Sequence, residues 1–123
     1  MIAVIFEVWP AEGEQNTYLE LAANLKADLA HREGFISIER FASLTEPEKL
    51  LSLSFWEDED AVQKWRIFET HRETQSLGRQ FVFKDYRLRI AEVARDYGMN
   101  QRTQAPADSR AYHDPYILTD KRT

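Results

Sequence analysis

The sequence has no cysteine among its 123 residues, so disulfides, thiolate zinc sites, iron–sulfur clusters and cysteine nucleophiles are all excluded. Glycine is scarce, and the four at positions 13, 34, 78 and 98 each stand alone. No glycine-rich loop is left to cradle a phosphate, so a nucleotide cofactor is not indicated. Positive charge is also short, with 16 Lys and Arg against 21 Asp and Glu and a formal net charge of −5. A net-acidic chain lacks the field that supplies most non-specific affinity for nucleic acid, which is therefore not an expected partner. Long apolar runs are missing too. The opening Met1-Ile2-Ala3-Val4-Ile5-Phe6-Glu7 meets an acid before a signal-peptide core is complete and is too short to span a bilayer. No membrane partner and a cytoplasmic location are the expectations, the second in keeping with the lack of cysteine.

Aromatic residues, by contrast, are plentiful: three Trp, five Tyr and seven Phe. They need a core, an interface or a pocket to occupy. Ile2 to Trp9 alternates Ile2, Val4, Phe6, Val8 with Ala3, Ile5, Glu7, Trp9, which predicts a strand ended by Pro10. From Gln15 to Glu33 the spacing of Tyr18, Leu21, Ala22, Leu25 and Leu29 predicts an amphipathic helix, with Asn16 or Thr17 as its cap and Gly34 as its left-handed stop. Phe35 to Ala42 and Lys49 to Trp56 return to period two around a turn at residues 44–48. In the second of these, Leu51, Leu53 and Phe55 make one apolar face, and Leu50, Ser52, Ser54 and Trp56 make a mixed one.

The acids Glu57 to Asp60 precede a helical pattern carrying Val62, Trp65 and Phe68, a placement that suits the positive end of a helix dipole. Two short helices with a bend near residues 67–70 are expected. In Phe81 to Tyr97 the spacing of Ile90, Ala94 and Tyr97 would serve a helix and the alternation of Tyr86, Leu88 and Ile90 a strand; a strand over about Tyr86 to Val93 is the expectation, because the three earlier strands need a fourth. Beyond Gly98 the apolar period disappears until Tyr116, so residues 98–123 are expected to form a polar tail on a domain of residues 1–97.

The order β-α-β-β-α-β predicts an α+β, ferredoxin-like fold: an antiparallel sheet with both helices on one side. Its other face would carry large residues, either Phe35, Phe41 and Trp56 or Ile5 and Trp9 according to parity. A second copy packed sheet to sheet, as a homodimer, would cover them.

Over Met1 to Tyr97 the chain resembles the antibiotic biosynthesis monooxygenase family of dimeric α+β barrels. The resemblance rests on Ile2-Ala3-Val4-Ile5-Phe6-Glu7-Val8, Glu33-Gly34-Phe35, and Ser54-Phe55-Trp56-Glu57-Asp58-Glu59-Asp60-Ala61 running into Trp65. His71-Arg72 and Asp85-Tyr86-Arg87-Leu88-Arg89-Ile90-Ala91-Glu92-Val93 complete it. It implies oxidation of a small phenolic or quinol-type aromatic by O2 with no bound cofactor. The alternatives are a non-catalytic ligand-binding barrel and a haem-binding or haem-degrading monooxygenase. In the family's haem-degrading branch, an Asn on the first strand and a His ten residues after the Trp do the work. Here Trp65 matches, Gln75 stands at the His position, and no Asn lies on the first strand, near Glu7. Haem degradation is disfavoured. In the phenol-oxidising branch a polar residue one turn before the Trp holds substrate, and Ala61 replaces it here.

Of the three histidines, His31 falls in the last turn of the first helix and reads as a surface residue. His113 lies in the tail, with Asp114 beside it but without the spacing of a metal site. His71 follows Trp65 by six residues and has the ordinary pKa for a general base. With His71 as base and Trp65 stacking on the ring, the expected substrate contacts are Trp65, Phe68, Phe55, Gln75 and Arg87. Arg79, Lys84 or Arg87 would stabilise the oxyanion. No metal is expected.

Overall fold

The computed structural model describes the backbone of residues 1–75 and 82–122, and the side chains of 1–68 and 82–114. The elements run β1 (Ile2–Pro10), α1 (Gln15–Leu29), β2 (Phe35–Ala42), β3 (Leu50–Trp56), α2 (Glu59–Gln75), β4 (Phe83–Glu92) and α3 (Ala107–Arg122). The first six make the expected ferredoxin-like α+β fold, with sheet order β2-β3-β1-β4 and every neighbouring pair antiparallel. The chain divides into a unit of Met1–Glu92 and a second of Val93–Thr123. Among the described residues no helix is long and apolar enough to cross a membrane.

Cross-strand register assigns the sheet's two faces. Ile2, Val4, Phe6 and Val8 of β1 lie beside Trp56, Ser54, Ser52 and Leu50 of β3, and these point toward the helices. Two buried clusters form there. One holds Ile2, Leu29, Trp56, Ala61 and Val62, with Val4, Phe35, Ile38 and Trp65 packed against it. The other holds Val8, Tyr18, Leu50 and Val82, with Phe6, Leu21 and Phe83 around it. The helices thus cover the mixed face of β3, and its wholly apolar face, Leu51, Leu53 and Phe55, turns the other way. Ser54 is tolerated inside because its hydroxyl accepts the Trp56 indole N–H at 3.0 Å. Parity is settled: Phe35 and Trp56 belong to the helix side, and Ile5, Trp9 and Phe41 to the open side.

Several boundaries differ from expectation. α1 ends at Leu29, four residues early, because Ala30 to Glu33 form turns that bring Gly34 to φ +80°. Neither Asn16 nor Thr17 caps it; Glu14 occupies the cap position without a side-chain hydrogen bond, and Asn16 and Thr17 sit inside the first turn. The second helix is continuous over Glu59–Gln75 rather than bent near 67–70. No Gly or Pro interrupts that stretch, and Asp58 starts it by accepting the Ala61 N–H at 2.8 Å. Within the segment read as a tail, α3 forms. Among the described residues its anchors are polar: Arg102 binds the Asp114 carboxylate, the Ser109 hydroxyl at 2.5 Å and the Gly98 carbonyl at 3.1 Å. Periodicity of hydrophobic residues is blind to such an arrangement.

On the open face Glu7 accepts from Lys49 at 2.5 Å and from Arg89. Trp9 lies over the Lys49 ammonium, 5.2 Å from ring centroid to Nζ, and donates its indole N–H to Glu46 at 3.0 Å. The Lys49 hydrogen bond, with help from Arg89, holds the Glu7 carboxyl below the usual glutamate range against an opposing desolvation effect. A carboxyl with a depressed folded-state pKa adds stability above its unfolded pKa and loses it as pH falls through the folded value. Wild type is therefore expected to lose more stability than Glu7→Gln between about pH 6 and about pH 3. Urea midpoints at the two pH values check this, and equal acid losses would count against it.

Candidate functional site

The two helices leave one part of their own side of the sheet uncovered. Val4, Phe6 and Val8 are flanked on β4 by Ile90, Leu88 and Tyr86, which share the helix-facing side. Yet Tyr86, Leu88 and Ile90 are 56%, 46% and 41% exposed. Three large apolar side chains in a row on an edge strand form an exposed apolar floor on the helix side of the sheet.

At one end the floor runs into a ring cluster. Phe6 meets Phe83 at 5.9 Å edge to face and Tyr86 at 5.6 Å, and Phe83 meets Tyr18 at 5.8 Å. At the other end Ile90 flanks Val4, which packs, as Trp65 does elsewhere, against the buried cluster of Ile2, Leu29, Trp56, Ala61 and Val62. Trp65 sits 6.3 Å from Trp56 with the rings near parallel, and 5.4 Å from Phe68. The Arg32 guanidinium covers the Phe68 ring at 3.7 Å and lies 5.6 Å from the Trp65 centroid. A cation on an aromatic face is held by the ring quadrupole, so Arg32 caps this stack and sets a positive charge beside it.

Of the expected site residues, the structure brings Trp65 and Phe68 together. Phe55 and Arg87 do not join them: Phe55 pairs with Ala3 and Arg87 with Glu7, which places both on the open face. A strand's alternation allows no other result once Trp56 and Tyr86 face the helices. The backbone positions of His71 and Gln75 lie on α2, but their side chains are outside the described residues, as is Arg79. Lys84 and Arg87 are exposed on β4. Ala61 is 7% exposed in the helix–sheet core, and a Cβ built on Gly34 would stand 2.6 Å from its own Cβ. A polar side chain at position 61 would be buried in that core.

Two contributors escaped the sequence. The β4 stripe was visible as alternation but could not be assigned a face without its register to β1. Arg32 gave no signal, because its contact with Phe68 joins a turn to a distant helix. Among the described residues no group of three or more His, Asp or Glu is placed to hold a metal ion.

The sequence profile for antibiotic biosynthesis monooxygenase matches residues 1–77. The jasmonate monooxygenase ABM of Pyricularia oryzae is 43% identical over 101 residues, covering 82% of this chain and 47% of that protein. The chain thus spans about half the length of that relative. YqjZ of Bacillus subtilis, an uncharacterized protein, is 30% identical over 94 residues, 76% of this chain and 79% of its own length. Among solved structures, the haem-degrader MhuD of Mycobacterium tuberculosis superposes with a TM-score of 0.64 at 17% identity, covering 80% of this chain and 100% of that one. At that identity the likeness is one of fold.

Proposed function

The chain belongs to the antibiotic biosynthesis monooxygenase family, and from that membership we propose that it is a monooxygenase domain oxidising a small phenolic or quinol-type aromatic with O2 and no bound cofactor. The observation that carries this reading is the uncovered stripe Tyr86, Leu88 and Ile90, a flat apolar floor on the helix side with aromatic rings at one end. A planar ring laid there would bury these side chains. The base is His71. It takes the proton of a phenol or enol, and the resulting electron-rich anion reduces O2 directly. For a CH2 group oxidised to a carbonyl, one oxygen atom enters the product, the other leaves as water, and all four electrons come from the substrate and its two C–H bonds. The oxyanion is stabilised by nearby positive charge. Phe55 and Arg87 take no part, since they occupy the other face.

The haem-degrading alternative fits these residues poorly. The helix-facing positions of β1 are Ile2, Val4, Phe6 and Val8, with no polar side chain among them, and Glu7 is held on the open face by Lys49 and Arg89. No step is derived through haem. The likeness to a jasmonate monooxygenase supports a second substrate, jasmonate, on the same apolar floor.

Oxygen uptake with a panel of anthrones, hydroquinones and jasmonate tests the reading. Consumption equimolar with substrate is expected, and Leu88→Asp is expected to lower kcat/KM about tenfold or more, since an apolar contact of this size is worth roughly that in discrimination. His71→Gln should lower kcat with little change in KM. Uptake by wild type no faster than by the buffer blank would sink the enzyme proposal, and a sharp Soret band on adding haemin would revive the haem reading.

The open face is assigned to a second copy of this chain. Ile5, Leu51, Leu53 and Phe55 are half-buried there and Phe41 is 41% exposed, an apolar area that water does not favour.

A further inference from the structure

The β4 floor is built almost wholly of hydrocarbon. Val4, Phe6 and Val8 on β1 and Phe83, Leu88 and Ile90 on β4 bring no polar side-chain atom to it, and Tyr86 is the exception. Its ring is held from two sides, by Phe6 at 5.6 Å and by Phe83 at 6.1 Å edge to face. Its backbone N–H is engaged as well, donating to the Asp85 carboxylate at 2.8 Å. The phenolic O–H, by contrast, makes no hydrogen bond among the described residues, on a side chain that is 56% exposed. Packing alone would be served by another Phe, and Tyr adds a donor at a fixed place. The strand's other end has the opposite chemistry. Glu92 lies beside Ile2 on the same side of the sheet, exposed and two residues past Ile90, and an ionised carboxylate only accepts.

Resting on the reading of this floor as the ligand surface, we propose that Tyr86 is its specificity-determining group: the O–H donates to an oxygen of the bound ring and so selects ligands that carry an acceptor at the end nearest Phe6 and Phe83. The unequal ends of the floor argue for this orientation. An electron-rich oxygen is favoured beside a hydroxyl and disfavoured beside Glu92, while the hydrocarbon body of the ligand covers Leu88 and Ile90. Tyr86 and Ile90 stand four residues apart on the strand, about 13 Å, which is length enough for a fused-ring body with its oxygen at one end. Because Phe6 and Phe83 already fix the phenol ring, it loses little rotamer freedom when it engages a ligand. A phenolic ligand can accept this hydrogen bond and still give its own proton to a base, so the contact is compatible with the chemistry assigned to His71.

The test uses the full chain and two probes, α-tetralone and tetralin, which differ by one carbonyl oxygen. The ketone accepts but cannot donate, so its contact with Tyr86 is separated from any contact with a base. Tyr86→Phe keeps the ring between Phe6 and Phe83 and removes only the hydroxyl. In equilibrium dialysis it should weaken tetralone about three- to tenfold, the worth of one neutral hydrogen bond, and leave tetralin unchanged. The carbonyl stretch of bound tetralone should lie at lower wavenumber on wild type than on Tyr86→Phe, a signature that packing would not produce. Leu88→Asp should weaken both probes. Equal weakening of both probes by Tyr86→Phe, or a carbonyl stretch the same on both proteins, would overturn the role of Tyr86 alone. Wild type that binds neither probe, or tetralone binding untouched by Leu88→Asp, would overturn the floor as a ligand surface and this role with it.

Discussion

Replacing Gly34 with alanine is expected to lower the unfolding free energy by about 2–5 kcal/mol, the sum of a left-handed backbone penalty and an overpacked contact. Gly34 sits at φ +80°, a region in which a Cβ crowds its own carbonyl. That Cβ would also stand 2.6 Å from the Cβ of Ala61, well inside van der Waals contact. Neither neighbour is free to retreat. The Gly34 carbonyl accepts the Glu57 N–H at 2.8 Å, just ahead of the Asp58 cap of α2, and Ala61 belongs to the buried cluster beneath that helix. Ala61→Gly alone is expected to cost about 1 kcal/mol of helix propensity. Combined with Gly34→Ala it removes the clash and leaves the backbone penalty, so the double variant should be more stable than additivity predicts by about 1–3 kcal/mol. Urea unfolding of the four proteins measures this coupling, and additive losses would show that the close approach is relieved elsewhere.

The same pair illustrates what was legible in advance. Period-two and helical spacing located five elements of the first unit, because burial of a stripe or a face leaves its period in the chain, and the fourth strand followed from the need of three strands for a partner. The identity of the buried face did not follow from hydrophobicity. On β3 the more apolar side, Leu51, Leu53 and Phe55, turns away from the helices, and two serines turn inward. Parity is a property of pairing, and only the register of Ile2 with Trp56 decides it. Phe55 and Arg87 were joined to Trp65 for want of that register. Gly34 was legible as a helix stop, but its second task, making room for Ala61, depends on residues 27 positions apart. Arg32 over Phe68, and Arg102 as the hub of α3, are likewise long-range or polar contacts that leave no period. Trp65 was legible as an important ring, and the structure adds that its neighbours include Trp56.

That adjacency underlies the second large effect. Trp56→Ala is expected to destabilise the fold by about 3–5 kcal/mol, the range for emptying a core of a large aromatic side chain. Trp56 is 1% exposed at the end of β3, where it meets Phe35 at 5.2 Å edge to face and Trp65 at 6.3 Å. Its removal opens a cavity beneath α2 and strips Trp65 of the ring that supports it. Trp56→Phe keeps most of the volume but deletes the indole N–H donated to Ser54, leaving a buried hydroxyl short of a partner at about 1–3 kcal/mol. Trp56→Phe combined with Ser54→Ala should regain part of that loss, because a hydroxyl no longer needs a donor. Chemical denaturation followed by far-UV circular dichroism separates the cases, and a double variant no better than Trp56→Phe would assign the loss to packing alone. The contrast with the β4 floor is then direct. Leu88→Asp touches a half-exposed side chain and should spare stability while lowering kcat/KM, whereas Trp56→Phe should lower stability while sparing the β4 floor. If both variants moved both quantities together, floor and core would be one cooperative unit, and the exposed stripe of β4 would be part of the fold's packing and not a surface left open for a ligand.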